Sequence, residues 1–220
     1  MRHLFATLLF CFSSYASFAV SGASIQTITL DQKTASITVL NTSDRDITGY
    51  TVALTATFEG GRERRSEYTT DYGPLTGKVL RAHQTATEPY QWQEAPLTVD
   101  GKVIVVIYNN GTAEADTKET LNQIVSVRAA IAKALRFSAD TLNAALSYPK
   151  PSEYARVRLQ AIVAEKDKSF NQSYLQGTLS VVEDASKNTQ HERDILQANA
   201  ARFDKEATAF QAYANVRRLP

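Results

Sequence analysis

The residue types that most often carry metal or enzyme chemistry are sparse in this chain of 220 residues. Neither His83 nor His191 has a second histidine or a cysteine at the spacing of metal ligands. The only cysteine, Cys11, lies close to the N-terminus. We therefore expect both histidines to be surface residues, and the sequence predicts no metal site and no cofactor.

The motifs of covalent catalysis are missing as well. The sequence contains no Gly-x-Ser-x-Gly nucleophile motif and no Gly-x-x-x-x-Gly-Lys phosphate-binding loop. Asp44 and Asp46 form a close acidic pair, but they lie in a polar segment typical of a turn between strands. The sequence therefore predicts a protein that is not an enzyme.

Two features are candidates for binding. The oxygen-rich segment 109–116 has the composition of a cation loop without the Asp-x-Asp-x-Asp-Gly order of a calcium site, so a turn before a helix is the favoured interpretation. Tyr90, Trp92 and Tyr108, together with Tyr68 and Tyr72, are aromatic rings that either stack on sugars or cover the core. We take Tyr90, Trp92 and Tyr108 as the candidate ligand-binding residues.

The N-terminal segment predicts export. Residues 1–3 are Met-Arg-His, residues 4–12 are apolar, and residues 13–23 are small and polar, which is the order of a secretory signal peptide. The apolar stretch is too short to span a membrane. We expect a signal peptide at 1–23, removed after Ala19 or Ala23, and a secreted or periplasmic protein. The near balance of 24 basic and 23 acidic residues argues against a nucleic-acid partner.

The remaining chain changes composition near residue 116. Residues 24–115 contain sixteen threonines and eight alanines, whereas residues 116–220 contain six threonines and eighteen alanines. Threonine is β-branched and suits strands, while alanine is the best helix former. The sequence therefore predicts an α+β protein with a strand domain at 24–115 and a helical, coiled-coil-like region at 116–220.

Strand signals recur through the first of these regions. Alternate residues of 50–58 are apolar, and 103–108 is an apolar run typical of a strand covered on both faces. About seven short strands separated by turn residues predict an antiparallel immunoglobulin-like β-sandwich, with a small barrel as the alternative.

Helix signals dominate the second region. Asp116 and Glu119 have the spacing of a capping box, and a long helix is predicted over 117–146. A second helix is expected from about Ser152 to Asp167, and 169–177 is expected to be a turn or bend. The last helix repeats a large and a small residue every seven positions, which predicts close packing against the first helix in a hairpin or bundle. These packing residues are Leu196, Ala200, Phe203, Ala207, Phe210 and Ala214.

Two stretches carry a resemblance to a protein family. The stretch 103–116, an apolar strand followed by Asn-Gly-Thr-Ala-Glu-Ala-Asp, and the stretch 41–52 resemble a group of uncharacterised secreted proteins of soil bacteria, acidobacteria especially. In that group the later strand ends in Asp-Gly-x-x-Glu-Gly-Asp, and Asn110 and Ala115 replace two of those residues here. The resemblance implies an exported sandwich with helices, and it carries no assigned activity.

Together these features predict a non-enzymatic envelope or periplasmic protein. The sandwich would bind or scaffold a protein or glycan of the cell envelope, and the helices would act as a spacer or as the surface of a homo-oligomer. The alternative is a carbohydrate-binding module that uses exposed aromatic residues.

Overall fold

The computed structural model describes residues 20–74, 76–167 and 169–219, and over these residues the chain is an α+β protein with eight strands and four helices. The strands are β1 (Ala23–Asp31), β2 (Thr34–Asn41), β3 (Ile47–Thr57), β4 (Glu63–Asp71), β5 (Thr85–Gln91), β6 (Thr98–Tyr108), β7 (Thr112–Ala115) and β8 (Arg217–Arg218). The helices are α1 (Lys118–Ala145), α2 (Pro151–Glu165), α3 (Gln172–Lys187) and α4 (Glu192–Ala214). The expected signal peptide falls mostly on residues 1–19, which lie outside the described residues.

The strands form two sheets, with the orders β1-β2-β5 and β4-β3-β6-β7-β8. Every neighbouring pair is antiparallel except β7 and β8, which are parallel. Strand β8 follows α4, so the chain returns to the larger sheet after the helices. We call the two sheets the strand module and the four helices the helical module.

A shared apolar core lies between the two sheets. Alternate residues of β2, such as Ile37, pack in one cluster with alternate residues of β3, such as Val52 and Leu54. The burial of β2 and of the later part of β3 follows the period of two that the sequence predicts. Strand β6 is covered on both sides, because Val106 lies in this core and Ile104 packs instead with Leu121 of α1.

Helix α1 begins one residue later than the capping box predicts. The N-cap is Thr117, whose hydroxyl accepts a hydrogen bond of 3.1 Å from the amide of Thr120. Asp116 is still tied to the sheet, because its amide donates to the carbonyl of Ile104 at 2.9 Å. Its carboxylate accepts from the amide of Thr117 at 2.7 Å, so the acid supports the cap without being it.

Helices α1 and α4 run antiparallel along their length. Arg128 near the start of α1 contacts Tyr213 near the end of α4, and Arg193 near the start of α4 donates to the carbonyl of Leu146 after α1. The large and small residues that repeat along α4 are all buried. These are Leu196, Ala200, Phe203, Ala207, Phe210 and Ala214.

The sequence signals miss helix α3. A turn or bend was expected over 169–177, yet α3 begins at Gln172, capped by Asn171, whose side chain accepts from the amide of Ser173. Gly177 inside the helix weakens the sequence signal. Tertiary packing compensates, because Leu175 and Val182 are buried in the common core of the four helices.

The core position of Phe203 generates a test of this packing. Because its ring is buried among the four helices, we expect Phe203→Ala to lower the free energy of unfolding by about 3–5 kcal/mol. The matched control is Val157→Ala on the exposed face of α2, expected to cost less than about 0.5 kcal/mol. Urea denaturation measures both, and equal costs would contradict the packing.

Candidate functional site

The three candidate aromatic residues do not form one exposed face. Trp92 is 4% exposed and Tyr108 is 1% exposed, whereas Tyr90 is half-buried. Tyr90 and Trp92 are in contact, with ring centroids 4.9 Å apart. Tyr108 instead contacts Glu114 and Arg45. Of the two interpretations, the exposed sugar platform is therefore wrong for Trp92 and Tyr108, and their burial agrees with the alternative that the rings cover the core.

Tyr90 and Trp92 belong to an aromatic ladder, which we define as Phe58, Trp92, Tyr90 and Tyr68. Successive ring centroids are 5.9, 4.9 and 6.0 Å apart, and each contact is edge to face. The hydroxyls of Tyr90 and Ser66 are hydrogen-bonded, so the ladder joins β5 of one sheet to β4 of the other. The Nε1 atom of Trp92 is buried and has no hydrogen-bond partner among the described residues.

A buried charged side chain, Arg128 on α1, lies where the two modules meet, and it is 1% exposed. Its Nε and Nη2 atoms donate to the two carboxylate oxygens of Asp71, at 2.9 and 2.8 Å. Its Nη1 atom donates to the carbonyl of Tyr213 at 2.9 Å. This Arg128 junction connects the end of β4, the third turn of α1 and the end of α4.

Gly49 provides the space that the guanidinium needs. A Cβ atom at this position of β3 would lie 3.0 Å from Nη2 of Arg128 and 3.3 Å from the carbonyl of Thr70. A side chain there would push the guanidinium away from Asp71. The glycine is thus explained by the close approach of a charged group to the sheet.

A cavity of about 320 Å³ lies beside the Arg128 junction, between the two modules. We call it the junction cavity. Its volume is at the lower end of the range of small-molecule sites, which concentrate at the interfaces between structural units. Its lining includes Thr48, Asn109, Asn110, Arg128, Tyr213 and Asn215. It therefore combines a guanidinium, an aromatic ring and three residues with side-chain amides.

The first three residues of the segment 109–116 line this cavity. Residues 109–111 make the turn between β6 and β7, with Gly111 at φ 75°, a left-handed conformation that favours glycine. The Asn110 side chain accepts hydrogen bonds from the amide and the hydroxyl of Thr112, at 3.1 and 2.7 Å. The segment is a turn followed by a strand and a helix cap, and its first residues face a concave surface.

A second polar cluster surrounds Glu114 on β7. Its Oε1 atom accepts from the hydroxyl of Tyr108 at 2.6 Å and lies 3.6 Å from Nη2 of Arg45. Its Oε2 atom accepts from the amides of Ser21 and Gly22 at 2.7 and 2.9 Å. The guanidinium of Arg45 stacks on the Tyr108 ring, 3.6 Å from the centroid.

The surroundings of this cluster shift the pKa values of Tyr108 and Glu114 further from neutral pH. Burial, with the hydrogen bond to Glu114, raises the pKa of Tyr108 to about 12. Burial alone would raise the pKa of Glu114, but the hydrogen bonds from Tyr108, Ser21 and Gly22 outweigh it and lower that pKa below its ordinary value. Neither group is tuned for proton transfer near pH 7.

The remaining titratable candidates lie apart from both sites. Nε2 of His83 is 2.9 Å from the carboxylate of Asp44, and both side chains are exposed. His191 lies 3.6 Å from Asp194 on the surface of α4. Within the part of the chain that the structure describes, no three His, Cys, Asp or Glu side chains come together as a metal site.

The residues that sequence reasoning missed are Asp71, Arg128 and Glu114. Arg128 had a visible signal, because it interrupts the apolar register of α1 with a charged residue. Asp71 and Glu114 are acidic residues that nothing in their own strands distinguishes. Asp71 is 57 positions from its partner Arg128, and Glu114 is 93 positions from its partner Ser21. Only the fold brings these groups together.

Comparison with known proteins returns no relative. The chain matches no protein-family model, no curated protein and no solved structure. Among the described residues, none of the helices combines the length and the apolar character needed to cross a bilayer. Arguments about function therefore rest on the geometry of the chain itself.

The Arg128 junction predicts an asymmetric response to mutation. Asp71→Asn leaves a buried cation without its counter-charge, so we expect it to lower the free energy of unfolding by about 3 kcal/mol. Arg128→Met should cost less, because the Asp71 side chain is 24% exposed and can be hydrated. The control is Arg136→Met, also on α1, which breaks an exposed pair with Asp204 of α4 and should cost under about 1 kcal/mol. The reverse order in urea denaturation would contradict the junction.

Glu114 predicts a pH dependence of stability. Because its folded pKa lies below the ordinary value of 4.5, its ionised form stabilises the fold above that pH, and the stabilisation is lost as the pH falls through the lowered pKa. Glu114→Gln should therefore be less stable than the natural chain at pH 7, with a gap that narrows towards about pH 3. Urea denaturation across this range measures the gap. The control is Glu63→Gln at an exposed position, which should change the free energy of unfolding little at any pH in this range. A loss of stability in Glu114→Gln that does not vary with pH would contradict the lowered pKa of Glu114.

Proposed function

We propose that this chain is an exported, non-enzymatic binding protein of the cell envelope or periplasm, and that it holds a small ligand in the junction cavity. The observation that carries the proposal is the position of the cavity, whose walls come from both modules. Residues of the strand module, such as Asn109, face residues of the helical module, such as Arg128 and Tyr213. Binding at such an interface would couple ligand occupancy to the packing of the two modules.

The polarity of the walls favours an uncharged, hydrogen-bonding ligand. The charge of Arg128 is already balanced by the bidentate contact with Asp71, so the cavity offers little net attraction to an anion. Asn109 and Asn215 carry amides that can both donate and accept hydrogen bonds, and Tyr213 adds an aromatic ring. Asn110 adds its side-chain NH2 group as a donor, because its oxygen already accepts from Thr112. A single sugar unit of an envelope glycan has this chemistry and this size.

The proposed export rests on the sequence. Residues 1–23 have the order of a signal peptide, and the one cysteine of the chain lies within that segment, so export would leave a chain without thiols. The resemblance to secreted proteins of soil bacteria stays a prediction of the same kind. The proposed non-enzymatic role also rests on the sequence, which lacks the nucleophile and phosphate-binding motifs of covalent catalysis.

We also propose that the strand module is an immunoglobulin-like sandwich. The order β1-β2-β5 facing β4-β3-β6-β7 supports this assignment, because the fourth strand pairs with the third and the fifth strand returns to the first sheet. The helices would then act as a wall of the ligand site. We do not assign oligomerisation to the repeat of α4, because its residues are buried within the chain.

Filling the cavity tests the proposed function. Ala212 lines the cavity near the end of α4, and Ala212→Phe should occupy the space without removing a polar group. We expect isothermal titration with glucose, galactose and N-acetylglucosamine to detect binding by the natural chain and at least tenfold weaker binding by this variant.

The matched control is Ala144→Phe, at an exposed position of α1 outside the lining of the cavity. It should bind as the natural chain does. Absence of binding to all three sugars, or equal affinity of Ala212→Phe and the natural chain, would overturn this site.

The aromatic ladder supports a second candidate, binding of a longer glycan along its half-buried edge. Tyr68 and Tyr90 are partly accessible, and Trp92, whose buried Nε1 has no hydrogen-bond partner among the described residues, contacts the Tyr90 ring. Trp92 is the one tryptophan of the chain, so its fluorescence reports on this edge alone. Quenching by a soluble polysaccharide that Tyr90→Ala abolishes would favour the ladder over the cavity.

A further inference from the structure

The short segment that precedes β1 connects the two sheets. We call Val20, Ser21 and Gly22 the N-terminal strap. On one side, the carbonyl of Gly22 accepts from the amide of Thr42 at 3.1 Å, and the hydroxyl of Thr42 donates to the carbonyl of Ser21 at 2.5 Å. Thr42 directly follows β2, so these bonds attach the strap to the smaller sheet.

On its other side, the strap is bonded to the larger sheet through Glu114. The amide and the hydroxyl of Ser21 donate to Oε2 at 2.7 and 3.0 Å, and the amide of Gly22 donates to the same atom at 2.9 Å. The side chain of Glu114 is 17% exposed, so these donors replace most of the water that a free carboxylate would hold. The strap therefore compensates a largely buried charge.

The strap is also fitted sterically to its place. A Cβ atom on Gly22 would lie 1.7 Å from the hydroxyl of Tyr108, which itself donates to Glu114. Val20 packs against the core between the sheets, and Ala23 is buried and pairs with Asn41 of β2. Residues 20–23 are thus an integral part of the strand module.

This geometry discriminates between the two processing positions that the sequence allows. Cleavage after Ala19 has Ser17 two residues earlier, and cleavage after Ala23 has Ser21 two residues earlier, so both match the small-x-small pattern of signal peptidase. Cleavage after Ala23 would remove the strap, its bonds to Thr42 and three of the hydrogen bonds to Glu114. Cleavage after Ala19 would preserve them all.

We infer that the signal peptide is removed between Ala19 and Val20, so that the strap is the N-terminal segment of the mature protein. The inference rests on the proposed export, and it places the processing site four residues before the end of the 1–23 segment expected from composition. The mature chain then keeps the residues that donate hydrogen bonds to the Glu114 carboxylate.

Intact-mass measurement of the full chain expressed in a bacterium, after separation of periplasm and cytosol, tests the inference. We expect a periplasmic species that begins at Val20. A periplasmic species that begins at Ser24 would overturn the processing site while supporting export. Full-length protein starting at Met1 in the cytosol would overturn the export proposal and the processing site together.

A pair of glycine substitutions tests the strap without reference to processing. Gly22→Ala should lower the urea midpoint clearly, because the added methyl collides with Tyr108. Gly177→Ala is the matched control, since nothing lies within 4 Å of its Cβ position inside α3, and it should leave the midpoint unchanged or raise it. An unchanged midpoint for Gly22→Ala would show that the strap is dispensable and would overturn the inference.

Discussion

The architecture depends on one buried cation. The guanidinium of Arg128 is almost fully enclosed. Burying this charge without a partner would cost more free energy than the apolar packing of one helix contact contributes. Its three bonded groups are the two carboxylate oxygens of Asp71 and the carbonyl of Tyr213, which belong to β4 and α4. Each of these elements must reach its place for the charge to be satisfied. The junction therefore fixes the orientation of the helices on the sheet more strictly than apolar packing alone would.

The same constraint shapes the space beside it. Helix α1 is held close to the sheet at Arg128, and residues of the turn at 109–111 and of the end of α4 line the junction cavity beside it. Polar groups lie around the rim, and the guanidinium is neutralised within the wall. A site of this kind recognises shape and hydrogen bonds, which suits binding better than proton transfer.

Periodicity predicts the elements well and the site poorly. The alternation in β2 and β3, the covered run of β6 and the bounds of α1 follow from local sequence, because each buries one face against a large neighbouring surface. Helix α3 was not predicted because Gly177, a poor helix former, lies near its start, although Leu175, Val182 and Ala185 have the spacing of one buried helix face. The partners of Arg128 and Glu114 are distant in sequence, and no local pattern encodes such pairs. The sequence also identified the aromatic residues, but it could not show which of them the packing of the two sheets would bury, as it does Trp92.

Strand β7 has an unusual position in the path of the chain. The strap before β1 is bonded to Glu114 in this strand, and β8, which follows α4, pairs with Thr112 and Ala113 in the same strand. Strand β7 is thus bonded both to the segment that precedes β1 and to the strand that follows the helices. Separating the helices from the sheets therefore requires β8 to unpair from β7. The two modules should consequently unfold together in one cooperative transition, and not as two independent domains.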